Sequence, residues 1–142
     1  DPWGADELDF YLRAAHRFEA HCFQTPAVTR YRRYSTSSSR DGERMLHSVR
    51  AVYDRQWPLV RGNPEAEAAH ARGLSALTDI FLDCVVENVE DRLRAGNRDA
   101  AQRSARLLAL ESPDRFASLP VGPAFASGFG GQAPARVNGD GH

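Results

Sequence analysis

The stretch from Asn63 to Gly96 constrains the fold most. Asn63-Pro64-Glu65 combines a capping side chain, a proline at the first turn, where no backbone donor is needed, and an acid beside the positive helix end. Gly96 is the matching stop. The span between them predicts one helix over about Pro64 to Ala95. Leu74, Leu77, Phe81, Cys84 and Val85 share one of its faces, and Asp79, Asp83, Glu87 and Glu90 share the opposite one. In a chain of 142 residues, the remaining elements must pack around so long a helix.

Those elements also read as helices. Asp6 is a good N-cap for a helix to about Phe23, with Leu8, Tyr11, Leu12, Ala15, Phe18 and Cys22 in one stripe. Thr25-Pro26 ends it and starts a short helix from Val28 to about Tyr34, and Ser35 to Ser39 form a loop. The next helix begins near Asp41 and runs to Trp57, its inner side lined by Met45, Val49, Val52, Tyr53 and Trp57. Pro58 and Gly62 then break it. Asn97 caps a helix to about Glu111, packed through Ala100, Leu107 and Leu108, and Ser112-Pro113 starts one more turn holding Phe116. From Leu119 onward Gly, Pro, Ala and Ser predominate, with Phe125 and Phe129 among them, which predicts an extended tail. No stretch alternates convincingly enough for a sheet. The expected fold is therefore all-α. It is an irregular antiparallel bundle of about five helices around the helix at 64–95, with a single helical domain at 1–118 and a Gly/Pro-rich tail at 119–142.

Gly96, Ala101, Ala105 and Pro113 fall at tetratricopeptide spacing, so residues 85–113 resemble a single hairpin of that repeat. No second copy follows at a period of roughly 34 residues, and a generic antiparallel hairpin accounts for the spacing equally well.

Composition excludes several chemistries. All eighteen basic residues are arginine, so there is no lysine base, no Schiff-base lysine and no P-loop lysine. Arginine does not substitute as a base, because it stays protonated in proteins. Codon bias is the simplest source of missing lysine in a chain rich in Ala, Arg, Gly, Val and Leu. The chain is 42% apolar, enough for a core, and its net charge of -1 makes no global field toward nucleic acid or acidic membranes. No apolar run long enough for a membrane span exists, and no secretory leader is visible. Cys22 and Cys84 make no disulfide framework and read as buried thiols, so an intracellular setting is expected.

Net charge conceals two blocks. Residues 30–61 hold eight arginines against three acids, and residues 62–91 hold one arginine against seven acids. Two helices packed side by side would pair these fringes at the rim. The sharper alternative is a bipolar surface that pairs with a protein partner or another copy. Within the basic block, Arg30-Tyr31-Arg32-Arg33-Tyr34, with Arg40 and Arg44 beyond the serine loop, carries guanidinium groups for phosphates and rings for bases. That segment is the candidate nucleic-acid or phosphate site. Arg32-Arg33-Tyr34-Ser35 also has the basic-basic-x-Ser form that some kinases prefer.

Three polar residues interrupt apolar stripes: Glu19, His70 and Asn88. A buried carboxylate must be paired or change its pKa, so Glu19 meeting His70 would make an acid–base or ligand pocket. Glu67 and His70 have the Glu-x-x-His spacing of di-iron bundles, but such bundles need two copies of that motif plus two further glutamates, and no metal site is expected. No zinc, P-loop or nucleophile-elbow motif occurs, and no cofactor is implied. The leading expectation is a non-enzymatic interaction or regulatory module. It would bind a protein partner or itself, as a homo-oligomer, through charged helix faces and the tail. A nucleic-acid-binding domain using Arg30 to Arg44 is the first alternative, and a small helical enzyme or ligand binder using Glu19 and His70 the second.

Overall fold

A computed structural model describes residues 4–19 and 37–120. The protein is all-α: these residues form helices, with short turns between those from residue 37 onward, and no strand occurs among them. The helices are α1 (Asp6–Ala15), α2 (Gly42–Val60), α3 (Pro64–Arg94), α4 (Arg98–Glu111) and α5 (Pro113–Ala117), with a 3-10 turn at Ser38–Arg40 ahead of α2. The short helix expected at Val28 to Tyr34, the thiol of Cys22 and the tail beyond residue 120 lie outside the described residues.

Side-chain caps set most of the boundaries. The Asp41 carboxylate accepts from the Arg44 N–H at the start of α2. Asn63 accepts from the N–H groups of Glu65 and Ala66 at the start of α3, and Asn97 from that of Ala100 at the start of α4. Gly96 closes α3 at φ 73°, with its own N–H on Leu93 O and the Asn97 N–H on Arg92 O, the paired bonds of a Schellman motif. Two boundaries differ from expectation. α1 is capped by Ala5 rather than Asp6, and its regular helix stops at Ala15 instead of reaching Phe23. α2 continues through Pro58 to Val60, with the proline in the last turn, where only two helical residues follow it.

α3 is the shared partner, contacting α2 on one side and α4 on another. Leu46, Leu82, Val85, Val89, Ala105, Leu108 and Leu119 form one buried cluster where α2, α3 and α4 meet. α4 presents Ala100, Ala101, Ser104 and Ala105, all buried, and small side chains let its backbone come close. Leu119, expected to begin the tail, is 4% exposed and belongs to this core, because its N–H turns back onto Phe116 O. A second cluster of Ala5, Val49, Val52 and Tyr53 receives Leu8 and Leu12 from α1. α1 itself buries no residue fully, so it lies on the bundle rather than within it.

Candidate functional site

The two charge blocks meet within the chain at one pair, and the other cross-helix pairs draw on residues outside one or both blocks. Arg40 Nη2 donates to Glu87 Oε2 at 2.8 Å, joining the turn before α2 to α3. That hydrogen bond and the carboxylate charge hold the Arg40 guanidinium firmly protonated. Arg50 on α2 grips Glu111 on α4 with two bonds, 2.8 and 2.7 Å. Arg115 on α5 bridges Asp83 at 2.8 Å and Asp79 at 3.2 Å on α3. Arg92 on α3, Glu43 on α2 and Ser104 on α4 share one network. Arg92 donates to Glu43 and to Ser104 Oγ, and Ser104 Oγ donates to Glu43. Nothing in the sequence singled out this triad, because Ser104 looks like one more small residue among alanines.

The candidate phosphate site is divided. Arg30, Tyr31, Arg32, Arg33 and Tyr34 lie outside the described residues. Arg40 and Arg44 line a cavity of about 350 Å³ at the start of α2, together with Ser37, Ser38, Asn88 and Arg92. Arg44 Nη2 donates to Ser38 O at 2.8 Å, and its Nε is buried with no partner among the described residues. The cavity is not strongly basic. Asp41 sits in its wall, and Glu87 and Glu43 hold Arg40 and Arg92, so the three guanidinium charges are matched by three carboxylates.

The three polar residues expected to make a pocket do not come together. Asn88 works as a clamp. Its Oδ1 accepts from the Gly42 N–H and its Nδ2 donates to Arg40 O, both at 2.9 Å, which fastens the start of α2 to α3. His70 lies roughly 27 Å along the α3 axis from Asn88 at 1.5 Å per residue. Its Nε2 is 2.9 Å from Tyr53 O, and since a carbonyl only accepts, that nitrogen carries the proton. The ring stands edge-on to Tyr53 and tilted against Trp57, with centroids 4.9 and 5.5 Å away. Burial pushes the Tyr53 phenol pKa up. Glu19 is exposed and flanks a groove on the side of α1 that His70 does not line. Glu67, the other half of the Glu-x-x-His spacing, accepts from the Gly62 N–H at 2.7 Å and so helps close the turn between α2 and α3. Among the described residues, no group of three or more His, Cys, Asp or Glu is placed to hold a metal ion. Nor, among the described residues, is any helix long and apolar enough to cross a membrane.

Among the described residues, α1 and the turn after it expose three large rings. Phe10, Tyr11 and Phe18 are 60%, 64% and 72% exposed. The stripe expected to face inward is therefore split. Leu8 and Leu12 reach the core, whereas Tyr11 and Phe18 face outward beside Phe10, whose ring meets that of Tyr11 edge-on at 5.7 Å. Three large exposed rings on one short segment are unusual on a surface with no partner. The stripe's spacing located α1, but periodicity alone does not tell which edge of a wide stripe is left uncovered.

No family model matches the chain, and no match to it was found among curated proteins or solved structures.

Proposed function

We propose that this protein is a non-enzymatic interaction module that binds a protein partner or itself. The observation that supports this reading is the exposed aromatic face of α1. A helix that buries none of its residues fully, yet together with the turn after it holds three large rings in water, is stabilised by covering them. Aromatic side chains are also the usual anchors of interfaces. The charged helix faces are better suited to internal cement, since α3 carboxylates meet arginines of the same chain. In this reading, the bundle built around α3 is the rigid platform, and the Gly/Pro-rich segment beyond residue 120 is a second contact element.

The test is chemical cross-linking followed by mass spectrometry on the full chain in its native extract, for the wild type and Phe10→Arg. Phe10 is 60% exposed, so folding stability should change by no more than about 0.5 kcal/mol. Cross-links from α1 to another polypeptide, lost in Phe10→Arg, are the expected result. Identical cross-links in both, or none in either, would sink the reading.

A further inference from the structure

We infer that the outward face of α1 pairs with the same face of a second copy of this chain, antiparallel across a two-fold axis. This rests on the interaction reading above and names its partner. Glu7, Phe10, Tyr11, Ala14, Arg17 and Phe18 recur at spacings of three and four and so form one face. The turn after Ala15 keeps that face continuous, because the N–H groups of Arg17 and Phe18 both bond Ala14 O at 2.9 Å. Glu7 and Arg17 are both exposed.

Charge along α1 has a direction. Asp6 and Glu7 sit in the first turn, Arg13 in the last, and Arg17 in the turn that follows. Asp9 is turned aside, with 14% of its side chain exposed, and is bonded to Arg13 and to the Gln56 amide. A parallel copy would set acid on acid and base on base. An antiparallel copy sets Glu7 against Arg17 of the second copy, and the two-fold axis repeats that pair at the far end. The register is also determined. Glu7 and Arg17 lie equally far from position 12, and so do Phe10 and Ala14. One alignment therefore makes both ion pairs and seats each Phe10 ring over the small Ala14 of the other copy, as a knob enters a hole.

A standard stable interface covers about 800 Å² on each partner, more than one short helix face offers. The dimer should accordingly be weak, with a dissociation constant on the order of micromolar, and in fast exchange.

Sedimentation velocity of the full chain, from low micromolar to near-millimolar concentration, tests this. The wild type should shift from the 15.7 kDa monomer toward twice that mass. Glu7→Arg and Arg17→Glu each create like-charge pairs at both ends, and each should raise the dissociation constant about tenfold or more. Mixing the two variants restores both ion pairs between unlike chains and should recover the dimer. The Glu7→Arg/Arg17→Glu double variant should do the same alone. Helical circular dichroism and thermal melting establish that each variant is folded. A wild type that stays monomeric overturns the inference, as do single variants that dimerise like the wild type or a mixture that fails to recover. If the chain is monomeric but loses cross-links to a different protein in Phe10→Arg, self-pairing is wrong and the interaction reading stands. If it neither dimerises nor shows Phe10-dependent cross-links, both fail.

Discussion

Gly42 and Gly73 are both helical glycines with no room for a side chain, yet the same substitution should affect them differently. A Cβ at Gly42 would lie 2.6 Å from Val85 N and 2.7 Å from Phe81 O, both in the backbone of α3. Neither can move without separating α2 from α3. Gly42→Ala should therefore cost about 1–3 kcal/mol in urea unfolding, as overpacking does. At Gly73 the nearest atom is the Tyr53 hydroxyl at 2.4 Å, the far end of a side chain. Its displacement is offset by roughly 1 kcal/mol of helix propensity gained within α3. Gly73→Ala should thus cost less than half as much as Gly42→Ala; equal costs would contradict this account of the α2–α3 contact. Asn88→Leu should cost about 1–3 kcal/mol, because it leaves the Gly42 N–H and the Arg40 carbonyl without their partner.

The cross-helix ion pairs have a predictable pH signature. The two hydrogen bonds from Arg50, with its charge, hold the Glu111 carboxyl below the ordinary glutamate range. A carboxyl depressed in the folded state stabilises fully above its unfolded pKa, and that contribution disappears as pH falls through the folded value. The side chains are 39% and 29% exposed, so water screens the pair and its worth is under about 1 kcal/mol. Arg50→Met should lower stability by that small amount at neutral pH. The difference from wild type should close as pH drops below the glutamate range; a gap that persists in acid would mean that Arg50 acts through packing instead. α1 should behave as a separate stability unit. It buries no residue fully and meets α2 through few contacts. In dilute solution its amides should exchange by local opening, well before those of Val52, Val85 and Leu108. Uniform protection across all the helices would refute that independence.

The molecule as a whole depends on the core where α2, α3 and α4 converge. Leu108 is 0% exposed in that core, and Leu110, two residues along the same helix, is 84% exposed. Leu108→Ala should cost about 2–5 kcal/mol. Leu110→Ala should stay within about 0.5 kcal/mol. Comparable losses in thermal unfolding would mean that α4 is rotated relative to this packing. The fold was largely legible beforehand because its boundaries are local. Asp41, Asn63 and Asn97 cap through their own side chains, and Gly96 adopts a positive φ that disfavours other residues. The candidate sites were much less legible. Asn88 reads as a pocket residue because it interrupts an apolar stripe, but whether a half-buried amide clamps a backbone or lines a pocket depends on what lies opposite it.

Spacing and turn chemistry in the chain alone determined an all-α protein with a long helix from Pro64, since helix starts, stops and faces are set by neighbours within a few residues. Tertiary structure decided where the charges went. Arg40 reaches Glu87, Arg50 reaches Glu111, and Glu43 joins Arg92 and Ser104, all across helices. It also decided that Leu8 and Leu12 enter the core while Phe10, Tyr11 and Phe18 remain in water. Periodicity defines a face, but burial of that face requires a surface opposite it, and among the described residues α2 and α3 cover only one edge of α1's apolar stripe.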